Sequence, residues 1–363
     1  MQLFIPFYLV LCIITTCLYA KKSNNQQYSV QIKNYFSFAL FIFFIFIVSS
    51  RSFTHPGDTK TYLSVFRYLQ QFDLYSSEID MRLEAGFLYL TQFIGKIYPN
   101  ERFYLFSISI VESSLWYACF RVWLKKNDVL LATLIFISFF ASYNLGANVL
   151  RQGIAMPIAF IGLKYLLNRR ILLGVLTISI GMLFHKTVAV VLVAWLLTFK
   201  RVHILYYIFV WFILALLSVS GTFLSVVGFI QSDVNSYAHL VNQGTLDYYQ
   251  TGFRLDFWLF SLIPLILFYL VKNDERGKYL DVMKYYLVVY SAFIIMFEVP
   301  YSDRFGLYTW LMIPIFCPLF IGDYKIKILN SYLFTAIAIT FAGMLFFQFY
   351  PIMSIGVKIN EVF

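Results

Sequence analysis

The chain has 363 residues, of which 61% are hydrophobic and only 13% charged, with 41 Phe and 28 Tyr. A soluble domain of this length needs a surface rich in Lys, Glu, Asp and Arg, and there are too few charges here to cover one. The net charge of +10 does not point to nucleic acid, because the basic residues lie in short clusters between apolar segments, the charge bias of inside loops in a membrane bundle.

In chain order, spans are predicted at roughly 3–20, 35–50, 103–120, 128–145, 150–167, 171–184, 187–199, 204–220, 256–271, 282–298, 305–321 and 329–348, about twelve crossings in all. The fold class is therefore all-α: a polytopic integral membrane helical bundle forming a single transmembrane domain over 1–363. The first apolar stretch has no positive residue before it and Lys21 and Lys22 after it, so it reads as a retained helix with its N-terminus outside. With this start, most Lys and Arg fall on inside turns, among them Arg121, Lys125 and Lys126, and Lys272, Arg276, Lys278 and Lys284. The same count puts both chain ends on the periplasmic side of a bacterial inner membrane. Leu83 to Pro99 is apolar enough to enter the bilayer, but a full crossing there would reverse the basic clusters, so a re-entrant or interfacial helix is expected. Gly221 to Ile230 reads similarly. Two long outer loops, about 51–102 and 221–255, are lid or cradle candidates. Cys12, Cys17, Cys119 and Cys317 all lie in apolar stretches without metal or disulfide spacing and read as small core residues.

A polar set gathers at the outer helix ends in this topology: Arg51, His55, Asp58, Arg67, Glu84, Arg151, Gln152, His185, Lys186, Arg254, Asp256, Glu298, Asp303 and Arg304. Charge at membrane depth costs several kcal/mol unless paired or wet, and so marks function by default. Arginines on one face suit an anion, because the guanidinium fork grips phosphate in bidentate fashion. Each residue also has a plain structural reading: Asp303 and Arg304 as a local ion pair, His185 as a capped turn histidine, and any one of the arginines as an interfacial anchor. Glu112, mid-span, is equally a helix-packing carboxyl or a proton relay. Lys60, Arg82 and Arg102 read as solvated loop charges.

Taken in order, these residues resemble the EpsG family of bacterial exopolysaccharide proteins, related in kind to Wzy-type O-antigen and capsule polymerases. The matching features are Arg51 with the Gly57-Asp58-Thr59 turn and Tyr62, then Glu84-Ala85-Gly86-Phe87, Arg151-Gln152-Gly153-Ile154-Ala155, Phe184-His185-Lys186-Thr187, and Asp303-Arg304-Phe305 with Tyr308. One departure is Lys186-Thr187, where a small or hydroxylated residue is expected after the histidine. The resemblance implies an integral-membrane glycosyltransferase that joins undecaprenyl-pyrophosphate-linked oligosaccharide repeats at the outer face; because the sequence shows no cluster of carboxylates and histidines, no metal and no cofactor are expected. It implies that Arg51, Arg151, Gln152, Arg254, Asp303 and Arg304 bind pyrophosphate and sugar. Asp58 or Glu84 would be the general base, with His185 positioning or sharing the proton. A flippase and a chain-length regulator are the partners implied. The rival readings are a flippase or transporter of the lipid-linked oligosaccharide and a membrane acyltransferase.

Overall fold

The computed structural model describes residues 26–53, 58–72, 83–198, 202–221, 223, 252–298, 302–321, 323 and 324. The predicted spans at 3–20 and 329–348, His55, Gly57, Arg82 and most of the 221–255 loop lie outside the described residues. Those described form helices and turns, with no strand among them. The chain divides into two compact units, Met1–Ala189 with Cys317–Phe363, and Val190–Phe316.

In the first unit, α1 (Gln26–Ser49) and α4 (Glu101–Trp123) are the two described helices long and apolar enough to cross a membrane. The expected span at 128–145 is instead broken into α5 (Val129–Ser138) and α6 (Phe140–Ala147), a pair bent by 78°. Phe139 is extended at the break, and the Ser142 hydroxyl donates to the Phe136 carbonyl beside it. Irregular backbone at membrane depth survives only where its polar groups are re-satisfied in this way. The first outer loop is not featureless: it carries α2 (Thr59–Gln71) and α3 (Ala85–Ile97), and α3 occupies the stretch read as re-entrant. α2 is amphipathic, burying Thr59, Tyr62, Leu63, Phe66 and Leu69 on one face. That face packs with Phe87, Tyr104, Leu105 and Ile154 into one apolar cluster.

α7 (Leu150–Leu167) and α8 (Ile171–Met182) form a hairpin whose closeness follows from two glycines. A Cβ on Gly162 would lie 2.9 Å from the Gly174 carbonyl oxygen, and a Cβ on Gly174 equally close to that of Gly162. Small residues let helix backbones approach this closely. The three-residue link turns through Arg169, which sits at φ 63. The return of α8 brings Gly181 against Ala155, and the chain then runs on through Leu183 to His185 at the start of α7. Cys119, on α4, is a buried free thiol, as is Cys317.

In the second unit, α9 (Ala189–Thr198, all but its first residue) and α10 (Ile204–Val219) precede α11 (Leu255–Phe260), α12 (Ile263–Leu270) and α13 (Leu280–Ile295); α14 (Asp303–Trp310) and the first four residues of α15 (Ile313–Ile321) follow. Two spans read as continuous, 256–271 and 305–321, are each broken, at Ser261-Leu262 and at Leu311-Met312. Pro264 and Pro314 follow these breaks by a few residues, and each lacks the N–H that would continue the ladder. Hydroxyls from α13 cover the first break: Tyr290 donates to the Trp258 carbonyl at 2.6 Å and Tyr286 to the Ser261 carbonyl at 2.7 Å. The Trp310 indole donates to the Ser261 hydroxyl at 3.0 Å.

Candidate active site

The Glu84-Ala85-Gly86 segment starts α3, with Glu84 extended in front of the first turn. Gly86 allows the approach to the α8 turn: its N–H donates to the Leu183 carbonyl at 2.8 Å, and a Cβ there would lie 2.7 Å from that oxygen. This contact delivers the Glu84 carboxyl to two donors and an imidazole. Arg151 Nη1, in the first turn of α7, donates to Glu84 Oε2 at 2.6 Å, and the Lys186 backbone N–H donates to Oε1 at 3.1 Å. His185 Nδ1 lies 3.3 Å from the same Oε1, an electrostatic contact whose geometry falls short of a directed hydrogen bond. Glu84 is 8% exposed, and the Arg151 and His185 side chains keep 20% and 16% of their surface. The Lys186 side chain is exposed, so the residue after the histidine meets Glu84 through its backbone N–H. Burial alone would raise the Glu84 carboxyl, but His185, Arg151 and the Lys186 amide outweigh it and hold the carboxyl down to about 2. A carboxylate held so low is a weak proton acceptor at neutral pH.

α2 ties this cluster to Arg51. One turn apart on its buried face, Thr59 accepts from Arg51 Nε at 3.1 Å, while the Tyr62 hydroxyl hydrogen-bonds Arg151. The Thr59 hydroxyl in turn donates to the Ala147 carbonyl at 2.8 Å, and Arg51 Nη1 donates to the Val48 carbonyl at 2.7 Å. Arg51 is only 5% exposed. Burial pulls its guanidinium down to about 10, with Tyr143 and Glu112 partly offsetting the effect, so it stays protonated at neutral pH. Asp58 is at the N-cap of α2 without a side-chain capping bond, and Gln152 is buried in the first turn of α7.

Arg102, read as a solvated loop charge, is a structural pin. Its Nη1 donates to the carbonyls of Ser49 at 2.8 Å and Arg51 at 2.7 Å, and its guanidinium lies over the Phe53 ring. It therefore closes the end of α1 and fixes the backbone that carries Arg51. Arg67, placed in the candidate set, pairs instead with Glu101 on the surface.

Arg254, Asp303 and Arg304 belong to the second unit and form a corner of their own. Burial raises the Asp303 carboxyl, and Arg304 and Arg254 act on it in the opposite sense. The Arg254 guanidinium also lies 3.9 Å over the Phe257 ring. The first unit thus gathers Arg51, Glu84, Arg151 and His185 around α2, and the second gathers the other three.

No curated protein and no solved structure matches the chain. The sequence profile of the EpsG family, a family of Wzy-type polymerases, matches residues 34–355, which contain every residue of both clusters. With most of its length matched, and with the four spaced motifs of the first unit meeting around α2, the chain belongs to the EpsG family and is a membrane protein of surface-polysaccharide polymerisation.

Proposed function

We propose that the chain lengthens a lipid-linked glycan at the periplasmic face of the bacterial inner membrane, within a bundle of about twelve crossings. The donor is the growing chain on undecaprenyl pyrophosphate, and the acceptor is the non-reducing end of an incoming oligosaccharide repeat on the same lipid. A single observation carries this reading: motifs 67 and 102 residues apart in the chain converge on one carboxylate, Glu84, beside two arginines held by one helix. Such convergence is the geometry of a positioned acid–base group next to an anion site.

Glu84 then acts as the orienting carboxylate and His185 as the general base, since Glu84 is too weakly basic and the imidazole has a second nitrogen to offer. The acceptor hydroxyl loses its proton to His185 as its oxygen bonds to the anomeric carbon. The bond from that carbon to the lipid pyrophosphate breaks, and its electron pair leaves with the pyrophosphate. Arg51 and Arg151 stabilise the charge that develops there, usually a large contribution to catalysis. Arg254 and Arg304 serve the sugar or the second pyrophosphate, with Asp303 setting their orientation. Asp58 remains the alternative base, from the start of α2.

The test is the surface glycan of a deletion strain complemented with the parent, Arg151→Ala or His185→Ala, resolved as a gel ladder with membrane levels checked. Single repeats in the deletion strain and no ladder from either variant are expected. Loss of even the single repeat at the outer face would make the chain an exporter. A full-length ladder lacking an ester substituent would make it an acyltransferase.

A further inference from the structure

α2 and α3 share a core yet turn unlike faces outward. The Tyr62 and Phe87 rings meet at 5.3 Å between them, and a Cβ on Gly95 would run into the Gln70 side chain, so the helices are in close contact. Beyond that contact α2 exposes Lys60, Thr61, Ser64, Arg67 and Gln71, a face suited to water. α3 instead exposes Tyr89, Phe93 and Ile97, one residue per turn, at 51%, 62% and 59%, and buries Phe87, Leu88, Thr91, Ile94 and Gly95 on its other side. Its one charged residue, Lys96, stands at the edge of this stripe in the last turn. Exposed apolar surface continues from both ends of the stripe. At the C-terminal end Tyr98 meets Phe103 edge-on at 5.6 Å, and Phe106 and Ile110 follow on the open side of α4. Phe106 lies 6.5 Å from Phe46, which ends the exposed row of α1, and α1 and α4 are the two described helices long and apolar enough to cross a membrane. At the N-terminal end Gly86 is docked on Leu183, which closes the exposed row Leu172, Leu176 and Ile180 of α8. The α3 stripe therefore joins the lipid-facing side of α4 to the apolar flank of α8.

We propose that α3 lies on the bilayer as an interfacial helix, with Tyr89, Phe93 and Ile97 in the acyl boundary, and that this lipid seat holds Glu84 against the His185 turn. An aromatic and aliphatic face, flanked by a lysine long enough to reach headgroup phosphate, is the chemistry of a helix lying in the interface plane. Length argues against a crossing: the 13 residues of α3 reach about 20 Å, short of the ~30 Å hydrocarbon core. A re-entrant arm would run back beside α4, whereas α3 packs chiefly on α2, whose polar face keeps the pair near water. Glu84 precedes the first turn of α3 and Gly86 makes the dock, so lifting the helix off lipid pulls on the carboxyl's attachment to Arg151 and His185. The seat rests on the chain being a membrane protein and not on the reaction proposed for Glu84.

The test uses the full chain with its four cysteines replaced by alanine, in nanodiscs of phosphatidylethanolamine and phosphatidylglycerol. A nitroxide is placed on a single introduced cysteine at position 89, 93 or 97, or at position 64 on α2 as the water-facing control. Oxygen, which concentrates in lipid, is expected to relax the three α3 labels strongly and a water-soluble nickel chelate hardly at all, with the reverse at 64. The three α3 labels are expected at similar depth. Nickel access at 93 equal to that at 64 would overturn the proposal. So would a label shielded from both reagents, the mark of a protein partner, or a depth that increases steadily along the helix, the mark of a re-entrant arm. The support given to Glu84 is read separately, by hydrogen exchange in the same nanodiscs. In Phe93→Asp the Gly86 amide should exchange about tenfold faster than in the parent, while Phe93→Leu leaves it unchanged. Equal exchange in Phe93→Asp and the parent would overturn the support role. Lipid-seated labels in a chain that builds no glycan ladder would uphold the seat and remove the polymerase reading instead.

Discussion

Glu84 and Glu112 are both buried carboxyl groups of the first unit, yet they are built oppositely. Glu84 meets a guanidinium, a backbone amide and an imidazole, and its three contacts come from distant parts of the chain. Glu112 has neither oxygen partnered and is fitted by shape, between glycines. Burial alone therefore does not define a role. The first carboxylate is fully engaged in fixing other groups, whereas the second is placed by shape between glycines.

The largest effect should come from Arg151→Ala, which strips Glu84 of its charged partner. Breaking a buried pair from one side costs about 3 kcal/mol, so a lowered unfolding midpoint and the loss of the glycan ladder are expected together. An unchanged midpoint would mean that Glu84 is no better supported than Glu112. Next comes a pair of glycine substitutions. Gly86→Ala drives a Cβ against the Leu183 backbone, which cannot yield, and should cost about 2 kcal/mol. Gly153→Ala meets only the end of the Glu112 side chain and should cost about 1 kcal/mol. Equal midpoints for the two would erase the distinction between a backbone dock and a side-chain slot.

A gentler probe is acid. Because the folded Glu84 carboxyl sits at about 2, below its ordinary 4.5, its contribution to stability is complete above 4.5 and is lost as pH falls towards 2. Midpoints measured down this range should decline more in the parent than in Glu84→Gln. Parallel declines would detach Glu84 from its partners. The smallest effect is expected for Lys186→Ser, which keeps the backbone N–H to Glu84 and removes only an exposed side chain. Its midpoint and ladder should match the parent within about 0.5 kcal/mol; a marked defect would give the Lys186 ammonium a part in the site.

The motifs around Arg51, Glu84, Arg151 and His185 were legible because short polar runs stand out against an apolar background, and the structure joins them around α2. The helix that does the joining was not legible. Hydropathy windows seek about twenty apolar residues, and α2 is a 13-residue amphipathic helix with polar Lys60, Arg67 and Gln70 between its buried positions. Arg102 was missed for a different reason: its partners are carbonyls some fifty residues earlier, which leave no trace in side-chain pattern. Of the three broken helices, two carried a readable warning in Pro264 and Pro314, whereas the break at Phe139 has no proline or glycine beside it.

The break between α11 and α12 also bears on the order in which this chain is made. Its Trp258 and Ser261 carbonyls find their hydroxyl donors on Tyr290 and Tyr286 of α13, residues that leave the ribosome later. Lipid supplies no hydrogen bonds of its own. Were α11–α12 to cross the bilayer as proposed, the segment would have to stay near water or a helper surface until α13 emerged, and the three would insert as one cooperative packet rather than helix by helix.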